Sequence, residues 1–310
     1  MNLPGSALSW GITTYRRTLK RFGRLHSALY AIVRNAFVPL MEKVTGFHTM
    51  GDDPLWLRIA LTTGSYEREI VRLIKQLVKP GMTALDIGAH VGYYSRQLSQ
   101  FVGKHGRVIA FEPHPHTFGV LCRNTQALGN VTAVQAAITD QETTASLYDY
   151  LLGPATASLR YGEHKRDWYK NRLSDEITPR MRQNLPVASY AVKTMTVDSY
   201  LAGARIAQVD FIKMDIEGAE INALQGMRRT VRASPRLVLI MEFNPRAWQS
   251  FGVDPAKVWE ELHKTGFAKI MVIEEHGGLT QVENGNMAAQ LAHKLLEKMT
   301  RTNLLCVREG

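Results

Sequence analysis

From residue 65 onward the chain alternates amphipathic stretches with short apolar runs. "SYEREIVRLIKQLV" sets Ile70, Ile74, Leu77 and Val78 on one helical face, with Ser65 at its start and Glu67 and Glu69 early. Pro80 and Gly81 stop that helix, and "TALDI" follows as a strand. A helix is predicted over Tyr93 to Phe101, a strand over "RVIAFEP", a helix from His116 to about Leu128, and a third strand over "NVTAVQAAI". Farther on, the strands "VDFIKMD" and "RLVLIMEF" flank the helix "GAEINALQGMRRTV". A helix over about Pro255 to Lys264, the strand "AKIMVIEE" and a last strand "NLLCVR" complete the pattern. Strands alternating with helices imply an α/β fold: a doubly wound, mostly parallel sheet of seven strands with helices on both faces. Ligands of such sheets bind beyond the carboxyl ends of the strands.

Two segments depart from the alternation. An insert over about 141–207 includes "RYGEHKRDWYKNRLSDEITPRMR", in which Arg160, Lys165, Arg166, Lys170 and Arg172 can meet an anionic substrate and Trp168 and Tyr169 can stack on a sugar or base. A solvated charged helix explains the same composition. Residues 1–48 form the other departure, a basic helical N-terminal extension preceding a domain over 49–310. It contains the apolar "LHSALYAIVRNAFVPLM", interrupted by Arg34 and too short to span a bilayer. Three readings suit it: a helix packed on the domain, which is the commoner case, a helix lying on an anionic membrane surface, and an organelle transit peptide.

Charge sharpens that division. The chain of 310 residues carries a net +10, yet Arg16, Arg17, Lys20, Arg21, Arg24 and Arg34 all precede its first acid, Glu42. Without those six charges the remainder is +4, unremarkable for a domain of this size. Hydrophobic content of 45% allows a large core without staples. Cys122 and Cys306 lie far apart with no metal-ligand spacing, so we read them as buried thiols of a reducing, cytoplasmic compartment.

Candidate chemistry concentrates at "ALDIGAHVGYYS". A strand-to-helix turn with glycines suits many nucleotides, but Gly88 and Gly92 are four apart and lack the third glycine of a dinucleotide site. Ala89, His90 and Val91 fill the middle. Asp86, fixed before the turn, repels a pyrophosphate and suits a cationic amino group. Glu112 ends the next strand, where an acid can accept hydrogen bonds from both ribose hydroxyls. A ligand with a ribose, no phosphate and a cationic end is S-adenosylmethionine.

The runs "GSYERE", "LDIGAHVGYYS", "VIAFEPHP", "AAITD" and "VDFIKMDIEGAE" together resemble the FkbM family of methyltransferases, over roughly residues 60–245. The resemblance implies a Rossmann-like class I methyltransferase fold whose final strands add an antiparallel C-terminal edge strand, and S-adenosylmethionine-dependent methylation, commonly of hydroxyls on glycans and secondary metabolites. It assigns Asp86, Gly88 and Gly92 to the methionine side, with Ala89, His90, Tyr93 and Pro113 beside them, and Glu112 to the ribose. Ala137 and Asp140 fall near the adenine, and Tyr66 and Glu67 close over the cofactor. His90 and His114 stand where the family usually has asparagine; an imidazole can keep the hydrogen-bonding role.

Transfer to an alcohol needs in-line alignment and a proton acceptor. Asp215 ends the fourth main-sheet strand, Glu217 and Glu220 start the next helix, and Glu242 and Asn244 end the fifth strand. Asp215, Glu217 and Glu242 are the leading catalytic candidates, with His114 and His90 as alternative bases. The same three acids could hold Mg²⁺ through oxygen, although shared acids often act without a metal. Capping and the helix dipole account equally well for Glu220. The expected partner is a small-molecule or glycan acceptor and not nucleic acid, because acidic "MDIE" stands where an amine methylase carries "NPPY" and acids repel phosphates. The rivals are an RNA methyltransferase and a membrane-associated binding module that keeps the fold without turnover.

Overall fold

In a computed structural model, residues 23–150, 156–161 and 187–308 are described. The chain divides into two compact units, residues 1–68 and 69–310. The larger unit contains β1 (Thr83–Ile87), β2 (Arg107–Phe111), β3 (Val131–Val134), β4 (Ala137–Ile138), β5 (Thr144–Asp149), β6 (Ala188–Met195), β7 (Phe211–Met214), β8 (Val238–Phe243), β9 (Lys269–Ile273), β10 (Leu279–Gln281) and β11 (Thr302–Val307). Eight of these form the main sheet in the order β10-β9-β11-β8-β7-β1-β2-β3.

Pairing is parallel from β8 through β3, and β11 runs antiparallel to both β8 and β9. The C-terminal strand is thus antiparallel, as expected, but lies inside the sheet; the edge is β10, three exposed residues that no apolar pattern announces. From β1 the chain builds outward through β2 and β3, then crosses back to lay β7 on the other side of β1. A crevice therefore opens at the carboxyl ends of β1 and β7.

Both faces of the sheet are covered, which is why its strands read as nearly unbroken apolar runs. One face carries Leu85, Ile87, Ile109, Phe111, Ile212, Met214, Leu239, Met241 and Phe243 in the larger core. The other carries Ala84, Val108, Phe211, Ile240, Met271 and Leu305 under Ile70 and Ile74 of the helix Arg68–Leu77 and Leu98 and Val102 of the helix Tyr93–Val102. Asp86, level with Lys213 across β1 and β7, interrupts this second face with charge.

Three local differences from the sequence pattern have physical causes. The third strand breaks after Val134: β3 is a half-exposed sheet edge, and the chain leaves it so that β4 can pair with β6 in a separate three-stranded sheet, β4-β6-β5. The helix expected after β7 is two helices, Glu220–Gln225 and Arg228–Ala233, parted at Gly226. The helix Gly285–Lys298, capped by Asn284 accepting from the Met287 amide, was not expected; it carries the chain to β11.

Gly226, in the turn between the two helices after β7, packs against the chain leaving β4. A β-carbon there would lie 2.1 Å from the carbonyl oxygen of Thr139, whose amide is tied to Met195. Gly226→Ala should lower stability to urea by about 1–3 kcal/mol through overpacking against rigid backbone. Gly129→Ala, with nothing within 4 Å of its added carbon, should stay within about 0.5 kcal/mol. Equal unfolding midpoints for the two variants would refute the close contact.

Candidate active site

The floor of the crevice is made by backbone contact. Gly88 has φ 83°, and a β-carbon on it would lie 1.9 Å from the Asp215 carbonyl oxygen. The turns after β1 and β7 therefore touch through their main chains, and only glycine fits. Gly88 and Ala89 both donate to the Phe111 carbonyl, at 3.0 and 2.9 Å, binding the turn to the end of β2. Gly92, φ 87°, opens the helix Tyr93–Val102; a β-carbon there would meet Leu121 at 2.8 Å. His90 also adopts a positive φ, 50°.

Glu112 fixes that turn from the neighbouring strand. It is buried, one carboxylate oxygen accepting from the His90 amide at 2.9 Å and the other from the His114 amide at 2.8 Å. Burial still raises its pKa above the usual glutamate value, against the pull of His90 and those two donors. Asp86 lies under the turn, wholly buried, and accepts from Ser95 Oγ at 2.5 Å. Burial pushes its pKa up to about 6, opposed by Ser95 and by the Lys213 ammonium.

The second acidic group belongs to "MDIEGAE". Asp215 is partly exposed; Glu217 and Glu242 are buried; one carboxylate oxygen of each lies within 4.8 Å of the others. Glu217 has φ 55° and Gly218 φ 112°, so the loop turns sharply. Glu220 holds that shape: one oxygen accepts from the amides of Ile216 and Gly218 at 3.1 and 3.4 Å, the other from Trp248 Nε1 at 2.8 Å. Glu220 is fully buried, which drives its pKa to about 7, and its role is to brace the loop.

Two cations balance the acids, and the sequence reading missed both. Arg301, just before β11, places Nε 2.9 Å from Glu242 and Nη1 3.6 Å from Glu217. Burial holds the Glu242 carboxyl well above its usual pKa and Arg301 draws it back. Lys213 is buried in β7, 3.7 Å from Asp215 and 5.3 Å from the Tyr94 ring centre, and its ammonium donates no hydrogen bond among the described residues. A charge inside the apolar strand "FIKM" was a usable signal for Lys213. Arg301 had none, because antiparallel pairing of Asn303 with Glu242 brings it there from 59 residues away. Oxygen donors from three acids, one with a buried unpartnered oxygen on Glu242, suit a hard divalent cation. The Arg301 guanidinium already neutralises two of them.

Between the two groups lies an open cleft. Gly88, His90, Glu112, Pro113 and Ala137 line one side; Asp215 and Glu217 line the other. The insert supplies a wall: Ala157 and Leu159 face the cleft, and Ser158 Oγ donates to the Glu217 carbonyl at 3.0 Å. Next along the chain, the Arg160 guanidinium lies 5.9 Å from the Phe251 ring centre, and Tyr161 packs on Tyr148 and Tyr150. Lys165, Arg166, Trp168, Tyr169, Lys170 and Arg172 lie outside the described residues.

Other expected site residues of the larger unit are engaged in packing and capping. Ala89 packs with Ala110 and Leu121, and Tyr93 is buried edge-on to Tyr94. Asp140 accepts from Asn222 at 3.1 Å. Asn244 caps the helix Pro245–Ser250. Tyr66 and Glu67, the latter at φ 40°, belong to the N-terminal unit. His114 is buried as the N-cap of the helix Pro115–Thr125: Nδ1 accepts from the Thr117 amide at 3.4 Å, and Nε2 faces Asp149 at 3.3 Å. An asparagine can serve the same cap, which explains the exchange at this position.

Known proteins similar to this chain include methyltransferases. The profile of the Methyltransferase FkbM domain matches residues 86–269, and that of protein-L-isoaspartate(D-aspartate) O-methyltransferase matches residues 15–143. Hexuronic acid methyltransferase AglP of Haloferax volcanii is 24% identical over 229 residues, 72% of this chain and 80% of that protein. 2-O-methyltransferase NoeI of Sinorhizobium fredii is 26% identical over 170 residues, 53% of this chain and 63% of that protein. A SAM-dependent methyltransferase structure from Aquifex aeolicus aligns with 80% of this chain and 96% of its own at 14% identity, TM-score 0.41. With the FkbM profile spanning more than half of the chain and its motifs lining one cleft, the chain belongs to the FkbM family of S-adenosylmethionine-dependent methyltransferases.

Proposed function

We propose that this chain moves the methyl group of S-adenosylmethionine to a hydroxyl of a sugar or related metabolite. The observation that carries the reading is the polarity of the cleft. Glu112 and the Gly88 turn stand on one side, and Asp215 and Glu217, with Glu242 and Arg301 behind them, stand on the other. Glu112 keeps lone pairs for ribose hydroxyls after accepting two amides. Asp86, with no direct opening to the cleft, acts through its charge on the cationic methionine end.

Bound against Glu112 and the Gly88 turn, S-adenosylmethionine would supply an electrophilic methyl to the acceptor oxygen, with the C–S electron pair kept by the departing S-adenosylhomocysteine. The hydroxyl proton passes to a carboxylate, and Asp215 is best placed because it lines the cleft and is reachable. Arg301 holds Glu217 and Glu242 in place beside it. Arg160, which has no ion pair among the described residues, and the exposed Tyr161 ring directly follow the cleft-lining Leu159 in the chain, and on this reading an acidic group pairs with the first and a sugar stacks on the second. The names of two relatives, a hexuronic acid methyltransferase and a 2-O-methyltransferase, support a sugar acceptor and an oxygen nucleophile.

Three measurements test these roles. Glu112→Ala should weaken S-adenosylhomocysteine binding, by calorimetry, by about 1–3 kcal/mol, the loss of hydrogen bonds to a charged acceptor; an unaltered affinity removes Glu112 from the ribose. Asp215→Asn should lower kcat by about 10²–10⁴ with a sugar acceptor while cofactor binding persists; near-normal turnover would shift the base elsewhere. Protonation gives the third. Asp86 titrates at about 6, so it is half protonated at pH 6 and ionised at pH 8. A cation bound nearby lowers that value, so on binding Asp86 should release protons into the buffer at pH 6 and contribute none at pH 8. Calorimetry in buffers of different ionisation enthalpy reads this release, and Asp86→Asn should reduce it; equal release from the variant would rule Asp86 out as the source.

A further inference from the structure

A helical segment runs from Gly23 to Thr45 in the N-terminal unit: an α-helix Gly23–Ile32, a π turn Val33–Phe37 and an α-helix Val38–Thr45. At 1.5 Å per residue it is roughly 34 Å long. One side is fixed inward. Val38 is buried, and the Glu42 carboxylate accepts from the amide and hydroxyl of Thr49 at 3.0 and 2.5 Å. Arg58, on the helix Leu55–Thr62, lies 3.6 Å from the same carboxylate.

The other side is bare and apolar. Ile32 is 59% exposed, Phe37 40%, Leu40 57% and Val44 71%. Phe37, Leu40 and Val44 recur at spacings of three and four and so share a face. A π turn absorbs about one extra residue, which brings Ile32 into line with Leu40 two turns on. Arg34 and Lys43 are exposed on the same segment. The sequence has no acid before Glu42, and Glu42 is turned inward to Arg58 and Thr49.

We propose that this face docks on an anionic lipid surface. Ile32, Phe37, Leu40 and Val44 enter the headgroup–acyl boundary, while Arg34 and Lys43 meet lipid phosphates. The charge selects this occupant. A second copy would bring the same unbalanced cations against the first, whereas a negative bilayer neutralises them. The helix lies on the membrane and does not cross it: among the described residues no helix is long and apolar enough to span.

The test is flotation of the full-length protein with vesicles of phosphatidylcholine alone or with about 30% phosphatidylglycerol, a fraction chosen to reach the surface potentials of anionic leaflets. Binding is expected to the anionic vesicles, weakening as salt rises. The double variant Leu40→Asp/Val44→Asp keeps every basic residue. It should bind about tenfold or more weakly, with an unchanged circular dichroism spectrum and melting temperature. Absence of binding to anionic vesicles at low salt would overturn the proposal. So would equal binding by the folded double variant, or a wild-type dimer in light scattering that the same variant abolishes. Each readout is independent of methyl transfer, so its outcome stands apart from that of the catalytic reading.

Discussion

The contact between two turns, where Gly88 has room for no more than a hydrogen atom beside the Asp215 carbonyl, is the constraint on which the site depends. Crossing the chain back to lay β7 beside β1 creates a crevice, but a crevice between ordinary side chains would be wide and padded. With main chain against main chain, the residues just after each strand are held at fixed separation. The Glu112-bound turn, with Asp86 buried beneath it, then faces the acids of the Asp215 loop across one cleft. A single methyl group added at Gly88 would push the two halves apart, and the geometry needed for in-line transfer tolerates little displacement.

Packing that many acids together requires compensation, and the chain distributes it in two ways. Glu112 and Glu220 are satisfied by main-chain amides and an indole, which need no counter-charge. Asp215, Glu217 and Glu242 instead share Lys213 and Arg301. Burial dominates in Asp86, Glu112, Glu220 and Glu242, whose pKa values are all raised, so the cleft floor is poised to exchange protons or to welcome a cation. A sulfonium cofactor with an ammonium group supplies such charge when it binds, and loses the sulfonium charge when its methyl leaves.

What the sequence disclosed follows from how local each feature is. Gly88, Asp86 and Glu112 were legible because a strand end, a glycine and an acid lie within a few residues of each other, and the strands announce themselves by apolar runs. The DIEG loop was legible as an acid cluster, but not its division of labour. Only the distance to Trp248 reveals that Glu220 braces while Asp215 stays reachable. Arg301 was hidden because its position depends on β11 inserting between β8 and β9, a pairing that apolar alternation cannot encode. His114 was read as a candidate base on chemistry alone. The structure gives its imidazole to a helix cap, a role whose sequence sign, a residue with a side-chain acceptor before Pro115, was present but ambiguous.

The described part of the insert stands apart from the main sheet yet touches the candidate site. Its short strands form their own sheet, so its length and composition can change without disturbing β1, β2 or β7. It nevertheless reaches the chemistry through a small contact, Ser158 on the Glu217 carbonyl, with Ala157 and Leu159 beside it. Glu217 is held in a left-handed conformation, so a hydrogen bond to its carbonyl bears on the orientation of the loop that also carries Asp215. An acceptor seated against Arg160 and Tyr161 would press on that same segment. On the proposed reading, an acceptor held at Arg160 and Tyr161 would therefore bear on the Asp215 loop through Ser158, on the far side of the cleft from the turn that Gly88 and Glu112 fix.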